Sequence, residues 1–151
     1  MTLTEPAPPA PDVQADLRHV RRILCVDDDP AIRLLLQLNL AAEGLDVDLA
    51  VDGDDALTQL RAHRPDVIVL DVMMPGRDGY AVLEVLKSDE ATNDIPVVLL
   101  TAKATDDEIW DGWRSGADYY ITKPFDVSQL LYFVSQVLEG SDVEEGNGLW
   151  G

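Results

Sequence analysis

Five short apolar runs, separated by longer segments of helical period, constrain the fold of this chain more than any other feature of its sequence. The runs are residues 23–26, 47–51, 67–70, 97–100 and 119–121. This alternation is typical of a parallel sheet whose strands are joined by helical crossovers. Two of the runs, 67–70 and 97–100, are apolar at every position, which predicts strands covered on both faces. The sequence therefore predicts an α/β fold, a doubly wound open parallel sheet built from five βα units.

The segments that follow the runs carry apolar residues at helical spacing, so each of them is predicted to form one helix. The spaced residues are Ile32, Leu35, Leu36 and Leu40; Ala56, Leu57 and Leu60; Val82, Leu83 and Leu86; Ile109, Trp110 and Trp113; and Leu130, Val134, Val137 and Leu138. The fourth of these helices is predicted to end at Gly116.

The folded part of the chain is predicted to span residues 20–139. Residues 1–19 are rich in Pro and Ala and almost lack large apolar side chains, so we expect a flexible arm. Residues 140–151 combine acidic residues with glycines, which predicts an acidic flexible tail. Because only this short tail follows residue 139, we expect no output domain, and the output is predicted to be a contact with another protein.

The charge balance excludes several classes of partner. The chain has 11 Lys and Arg residues against 29 Asp and Glu residues, a formal net charge of −18. Such a chain repels nucleic-acid phosphates and anionic lipid headgroups, so neither nucleic-acid binding nor membrane insertion is expected. The single cysteine, Cys25, lies in an apolar run and is interpreted as an inert core residue. A reducing cytoplasm is the expected compartment.

Polar side chains follow four of the predicted strands at the point where each strand ends. Three aspartates occupy positions 27–29, Asp71 ends the third strand, and Thr101 and Lys123 follow the fourth and the fifth. Ligands bind at the carboxyl ends of parallel strands, because loops and helix N-termini surround a crevice there. The sequence therefore predicts that acids, a hydroxyl and an amine meet at one edge of the sheet.

The aspartates at 27–29 have a structural interpretation and a functional one. Asp28 or Asp29 can cap a helix that begins at Pro30. Asp71 changes this balance, because a third carboxylate aimed at the other two is costly unless a cation neutralises the group. Mg²⁺ is the predicted cation, since it accepts one or two carboxylates together with waters and phosphate oxygens.

Lys123 and Thr101 also admit two interpretations. Most lysines are surface residues, but an ammonium opposite clustered carboxylates offsets their repulsion and can hold a phosphoryl oxygen. Thr101 is a β-branched residue at the end of a strand and needs no function to explain it. Its functional interpretation depends on the residues that are expected beside it.

Four motifs, in order along the chain, carry a family resemblance: ILCVDDDP, DVIVLDVMMPGRDGY, VVLLTAK and GADYYITKPF. Together they resemble the receiver domain of two-component response regulators over nearly the whole folded segment. The resemblance implies a flavodoxin-like sheet with strand order 2-1-3-4-5. It also implies a phosphoprotein that takes its phosphoryl group from a histidine kinase or phosphotransfer protein. Such a protein is not a turnover enzyme, although it promotes its own Mg²⁺-dependent phosphorylation and dephosphorylation.

The resemblance assigns a role to each pocket residue. Asp71 is implied to be the phosphoacceptor, and the metal ligands are implied to be Asp28 directly, Asp27 through water, Asp71 and the Met73 backbone carbonyl. Lys123 and Thr101 would contact the phosphoryl group. Thr101 and Tyr120 would form a switch pair, in which the hydroxyl moves and the aromatic ring rotates into the vacated space. The altered surface would meet a downstream protein or a second copy of the chain.

Two tryptophans, Trp110 and Trp113, lie on the predicted fourth helix. Their spacing is explained by packing, but tryptophan is also a common interface anchor, so both are kept as possible interface residues.

Two other function classes remain open at this stage. A phosphohydrolase of the haloacid dehalogenase type also uses an Asp nucleophile after a strand, but it places an acid two residues later, where this chain has Met73. A receiver-like binding module that works without phosphorylation is the other alternative. Such modules typically lack a pocket residue, whereas all five acidic, hydroxyl and amine positions are present here.

Overall fold

The fold is seen in a computed structural model of the chain, which describes residues 21–74, 76, 78–102 and 116–140. The strands in this part of the chain are β1 (Arg22–Val26), β2 (Asp46–Ala50), β3 (Val67–Asp71), β4 (Val97–Thr101) and β5 (Tyr119–Thr122). The helices are α1 (Pro30–Ala42), α2 (Gly53–Ala62), α3 (Gly79–Lys87) and α4 (Val127–Gly140). None of these helices is long and apolar enough to cross a membrane.

The five strands form one parallel sheet in the order β2-β1-β3-β4-β5. This order confirms the predicted doubly wound, flavodoxin-like fold. Every residue of β3 and of β4 is buried, as expected for central strands with helices on both faces. In the sheet β1 and β3 are neighbours, and their carboxyl ends lie side by side: Val26 pairs with Leu70. This pairing brings the residues that follow β1 next to Asp71.

Alternate side chains of the strands enter two separate cores, one on each face of the sheet. Leu24 and Ile68 lie in the core covered by α2 and α3, whose contributions include Ala56 and Leu83. The core on the other face is covered by α1 and α4, and its helical members are Leu36, Leu40, Leu130, Val134 and Val137. Cys25 lies in this second core and is fully buried. Burial raises the pKa of its thiol.

One sequence expectation needs correction at the level of a single residue. The second strand was predicted at 47–51, but β2 ends at Ala50 and Val51 is 46% exposed. The reason is local, because Val51 N–H donates to the Asp55 carboxylate at 2.9 Å as the chain turns into α2. Leu35 lies in α1 as predicted, on the exposed side of the helix.

The predicted fourth helix, with Ile109, Trp110 and Trp113, lies outside the described residues. So do the predicted arm at 1–19 and the predicted tail from 141 onward, whereas residue 140 is the last residue of α4. The domain boundaries and the interface role of the two tryptophans therefore stay predictions.

Aspartates cap the helices that follow β1, β2 and β3. Asp29 accepts a hydrogen bond from Ala31 N–H, Asp52 from Asp55 N–H and Asp78 from Ala81 N–H. A side chain in this position satisfies an amide that the helix leaves without a partner. The cap of α1 is thus Asp29, which leaves Asp27 and Asp28 available for another role.

Candidate functional site

Asp27 is the buried end of the loop that joins β1 to α1. Its backbone N–H donates to the Ala50 carbonyl at 3.2 Å, and its carboxylate Oδ1 accepts the Asp29 N–H at 3.0 Å. None of the residue is exposed, whereas Asp28 beside it is exposed. One carboxylate of this loop therefore faces the protein interior, and the next one faces solvent.

Asp71 is the last residue of β3 and is only 2% exposed. Its carboxylate accepts the Met73 N–H at 3.3 Å. Gly79, the first residue of α3, packs on its backbone: a Cβ atom at Gly79 would lie 2.3 Å from the Asp71 carbonyl oxygen. Only glycine permits this close approach. The first residue of α3 thus packs directly against the backbone of Asp71.

Asp27, Asp28 and Asp71 bring carboxylate oxygens within 4.8 Å of one another. Two oxygens on opposite sides of one Mg²⁺ ion are separated by about 4.2 Å, so small side-chain rotations suffice for a shared ion. The donor set also fits, because a hard divalent cation prefers oxygen ligands and retains waters. The exposed Asp28 offers a route of entry from solvent. The acidic trio can therefore bind a metal ion.

Lys123, in the loop after β5, is the cation that faces these acids. Its ammonium lies 2.8 Å from the Asp27 carboxylate and 3.4 Å from the Asp71 carboxylate. The Lys123 backbone N–H donates to the Thr101 carbonyl at 2.7 Å, which joins the ends of β4 and β5. The Lys123–Pro124 peptide bond is cis. The Lys123 ammonium therefore bridges the two buried acids.

The electrostatics of the pocket follow from this burial. Burial and then the neighbouring charge of Asp27 raise the pKa of Asp71 from 3.8 to about 6, although Lys123 opposes the rise. Burial works against the charged form of Lys123, but the hydrogen bond and the charge of Asp27, aided by Asp71, raise its pKa overall. One ammonium thus compensates two buried carboxylates incompletely. Among the residues that the structure describes, the pocket holds an excess of negative charge that a divalent cation can neutralise.

Thr101 ends β4, and Tyr120 lies in the neighbouring strand β5, where it pairs with Leu99. Thr101 is fully buried at the end of β4. Tyr120 in β5 is partly buried against the core under α2 and α3. Its hydroxyl lies 3.3 Å from the hydroxyl of Tyr80, which belongs to α3. Of the further predicted residues, Met73 has a half-exposed side chain, and Trp110 and Trp113 are outside the described residues.

Two contacts at the site were missed by reasoning from sequence. Tyr80 follows a glycine at a helix start, and its contact with Tyr120 crosses 40 positions, so no local pattern indicates it. Arg33 in α1 donates from Nη1 to the Asp27 carbonyl oxygen at 2.7 Å. A signal for this contact existed, because long side chains in helices lean toward the N-terminus, and the acidic loop precedes α1.

Comparison with known proteins agrees with this geometry. The response regulator receiver domain family matches residues 23–135. This chain belongs to that family. Receiver domains are not turnover enzymes, so the phosphohydrolase alternative is not supported. The pocket of Asp27, Asp28 and Asp71 is consistent with phosphorylation on an aspartate.

Individual relatives place limits on what the family match implies. The DNA-binding dual master transcriptional regulator RpaA of Synechocystis is 46% identical over 121 residues, which cover 80% of this chain and 50% of that protein. This receiver chain thus spans about half the length of the curated relatives it matches.

Solved receiver structures match this chain over nearly their full length. The receiver domain of a signal transduction histidine kinase from Syntrophus aciditrophicus superposes with a TM-score of 0.76 at 34% identity, covering 86% of this chain and 98% of that one. The chemotaxis protein CheY4 of Vibrio cholerae superposes with a TM-score of 0.75 at 30% identity, covering 79% and 99%.

Proposed function

We propose that this receiver accepts a phosphoryl group on Asp71 from a histidine kinase or phosphotransfer protein and relays the signal through a changed protein-interaction surface. One observation carries the proposal. Asp71 is buried beside a second buried carboxylate, an exposed one and an ammonium 3.4 Å away. A carboxylate held among oxygen ligands and a cation suits phosphoryl transfer, which requires positioning and charge neutralisation more than other chemistry.

The transfer step involves one bond formed and one broken. A carboxylate oxygen of Asp71 forms a bond to phosphorus, while the phosphorus–nitrogen bond of the donor phosphohistidine breaks in line with it. The electron pair of that bond stays on the imidazole nitrogen. The ionised form of Asp71 is the nucleophile. The product is an aspartyl phosphate on Asp71 and a free histidine on the donor.

Lys123 and the acidic trio divide the remaining work. The Lys123 ammonium, already 3.4 Å from Asp71, holds a phosphoryl oxygen as charge develops on it. Asp27, Asp28, Asp71 and the Met73 carbonyl are the residues that would hold Mg²⁺. When bound, this ion would neutralise the phosphoryl oxygens. Asp27 also keeps the ammonium in place through their 2.8 Å contact.

The output is proposed to pass through Thr101 and Tyr120. The Thr101 hydroxyl is a donor at the end of β4 and moves toward the new phosphoryl oxygens. Tyr120 then rotates into the vacated space, which breaks its contact with Tyr80 and reshapes the surface around β5 and α4. The partner is a downstream protein or a second copy of the chain, with Trp110 and Trp113 as candidate contacts.

Composition supports protein partners in the cytoplasm. A net charge of −18 opposes nucleic-acid contacts by this chain and anchoring on anionic lipid. The single cysteine, Cys25, is buried in the sheet and supports a reducing compartment.

The proposal is tested by intact mass after incubation with acetyl phosphate, with Mg²⁺ or with EDTA. The wild type is expected to gain one phosphoryl group in Mg²⁺ and none in EDTA, and Asp71→Asn is expected to gain none. Asp94→Asn is the matched control, because it removes one carboxylate from an exposed loop where Asp94 pairs only with Arg64 among the described contacts. That variant is expected to behave as the wild type does.

Two outcomes of this experiment would contradict the proposal. If neither acetyl phosphate nor a panel of histidine kinases phosphorylates the wild type, the phosphorelay proposal is wrong and the phosphorylation-independent binding module replaces it. If Asp71→Asn still gains a phosphoryl group, the acceptor assignment is wrong.

A further inference from the structure

Arg33 makes a contact with the acidic loop that the proposed phosphoryl transfer does not use. It lies in the first turns of α1, and its guanidinium Nη1 donates to the Asp27 carbonyl oxygen at 2.7 Å. The contact is partly buried. A bond from a cationic donor at this distance is stronger than a neutral one.

The contact fixes a peptide plane rather than a side chain. The Asp27 carbonyl and the Asp28 N–H belong to the same planar unit. At its other end Asp27 is held by its N–H, which donates to the Ala50 carbonyl of β2 at 3.2 Å. Arg33 therefore completes the restraint on Asp27 and sets the direction in which the chain enters Asp28.

Among the contacts of the described residues, few restrain Asp28 itself. It is exposed, while the residues on either side are held by the Asp29 N–H to Asp27 Oδ1 bond and by the Asp29 cap of α1. The position of the Asp28 carboxylate relative to Asp71 thus depends on the peptide plane that precedes it. Outer contacts of this kind orient metal ligands and commonly change metal affinity by about 10–100-fold when they are removed.

We propose that Arg33 is a positioning residue for the metal site, holding the Asp27–Asp28 peptide so that the Asp28 carboxylate faces the other two acids. The proposal rests on the proposed function, because it assumes that the acidic trio binds Mg²⁺. Arg33 itself touches neither the ion nor the phosphoryl group. Its effect acts through the backbone of Asp27.

A purely electrostatic role predicts the opposite sign. A guanidinium near a cation site repels Mg²⁺, so its removal by that effect alone tightens binding. Loss of positioning weakens binding. The direction of the change in Mg²⁺ affinity therefore separates the two roles.

The experiment is calorimetric titration of Mg²⁺ into the wild type, Arg33→Ala, Arg33→Lys and a matched control, Arg21→Ala. Arg21 makes the same kind of bond, from Nη1 to a backbone carbonyl oxygen, that of Leu138 at 3.1 Å. Leu138 lies in α4 and not in the pocket. We expect Mg²⁺ to bind Arg33→Ala about 10-fold more weakly. Arg33→Lys keeps a cationic donor and is expected to recover part of the loss, while Arg21→Ala is expected to match the wild type.

A kinetic readout separates positioning from damage to the acceptor. With acetyl phosphate, Arg33→Ala is expected to need about 10-fold more Mg²⁺ for half-maximal phosphorylation and to retain its maximal rate. Unchanged or tighter Mg²⁺ binding by Arg33→Ala, with the fold verified by circular dichroism, overturns the proposal. If Arg33→Ala does not fold, Arg33→Lys decides, with Arg21→Lys as its matched control: Mg²⁺ binding weaker than that of the wild type and of Arg21→Lys supports the role, and affinity equal to theirs overturns it. A wild type that binds no Mg²⁺ instead contradicts the proposed function.

Discussion

The two ends of the sheet carry the same residue types in opposite circumstances. At the amino end, Arg22 opens β1 and its guanidinium lies 3.0 Å from Asp46 and 3.0 Å from Asp48. At the carboxyl end, Lys123 lies 2.8 Å from Asp27 and 3.4 Å from Asp71. Each end thus has one cation that bridges two aspartates at similar distances.

Burial separates the two clusters. The side chains of Asp46 and Asp48 are 51% and 28% exposed, whereas those of Asp27 and Asp71 are 0% and 2% exposed. Water screens the amino-end charges, and such pairs contribute little to stability. At the carboxyl end the acids have lost their hydration, so the same pairing leaves the pKa of Asp71 raised to about 6. The raised pKa at the carboxyl end therefore arises mainly from burial, since each cluster pairs one cation with two aspartates.

Removal of the bridging cation from each end is expected to give the largest contrast. Lys123→Met leaves two buried carboxylates without their ammonium, and we expect the metal-free protein to lose about 3 kcal/mol of its free energy of unfolding. Arg22→Met leaves its acids in water and is expected to cost about 1 kcal/mol or less. Urea denaturation of both variants in EDTA measures the difference.

Salt and Mg²⁺ sharpen this contrast. The effect of Arg22→Met is expected to shrink in 1 M NaCl, because exposed charges are screened at that ionic strength. Saturating Mg²⁺ is expected to restore part of the stability that Lys123→Met loses and to leave Arg22→Met unchanged. Equal losses for the two variants in EDTA contradict the argument from burial.

Neutralising the acid of the carboxyl end is expected to stabilise the protein. The pKa of Asp71 is about 6 in the folded chain against 3.8 for an unperturbed aspartate, so its ionised form disfavours folding. Each pKa unit corresponds to about 1.4 kcal/mol, so we expect Asp71→Asn to gain about 3 kcal/mol at pH 8 in EDTA. The wild type recovers this deficit as pH falls through 6 toward 4, so the gain should vanish near pH 4.

The measurement is urea denaturation of both proteins across that pH range. Asp46→Asn is the control at the amino end, and a change within about 0.5 kcal/mol at every pH is expected for an exposed position. A gain for Asp71→Asn that does not depend on pH points to packing as its cause and breaks the link between burial and charge.

The position of the pocket at the carboxyl end of the sheet was predictable from sequence, because it depends on topology. Apolar runs of strand length and helical spacing between them predicted the sheet and both of its faces. The acids at 27–29 and Asp71 were placed at one edge because the ends of parallel strands meet there. The end of the second strand was predicted one residue too late, at Val51. The Asp55 carboxylate accepts the Val51 N–H, and strand propensity does not account for such a bond.

Contacts that cross the chain were not predictable in the same way. The hydroxyl of Tyr80 in α3 meets that of Tyr120 in β5, and Arg33 bonds to the loop that precedes its own helix. The structural interpretation of Asp29 as a helix cap is confirmed. It does not conflict with the functional interpretation of Asp27 and Asp28. Sequence gives the identity of the pocket acids, but their degree of burial, which sets the pKa of Asp71, requires the packed structure.

The smallest expected effect concerns an acid at the amino end whose ionised form, like that of Asp71, is disfavoured by burial. Asp118 precedes β5 at the amino end, and its carboxylate accepts the Val97 N–H at 2.8 Å. Burial raises its pKa, while the Val97 bond and the charge of Lys87 oppose the rise. The folded chain therefore holds this proton more tightly than the unfolded chain does, and the ionised carboxylate disfavours folding at neutral pH.

If burial rather than position in the sheet decides the behaviour, Asp118→Asn should resemble Asp71→Asn in sign. The amide oxygen can still accept the Val97 N–H, so the substitution removes the buried charge and keeps the bond. We expect a gain in unfolding free energy at pH 8 that is smaller than that of Asp71→Asn, because no second carboxylate of the described residues adds to the cost at Asp118. The gain should disappear in acid, where the wild-type carboxyl is protonated in both states. A loss of stability at every pH means that the charged bond to Val97 outweighs desolvation, and burial alone then does not distinguish the two ends of the sheet.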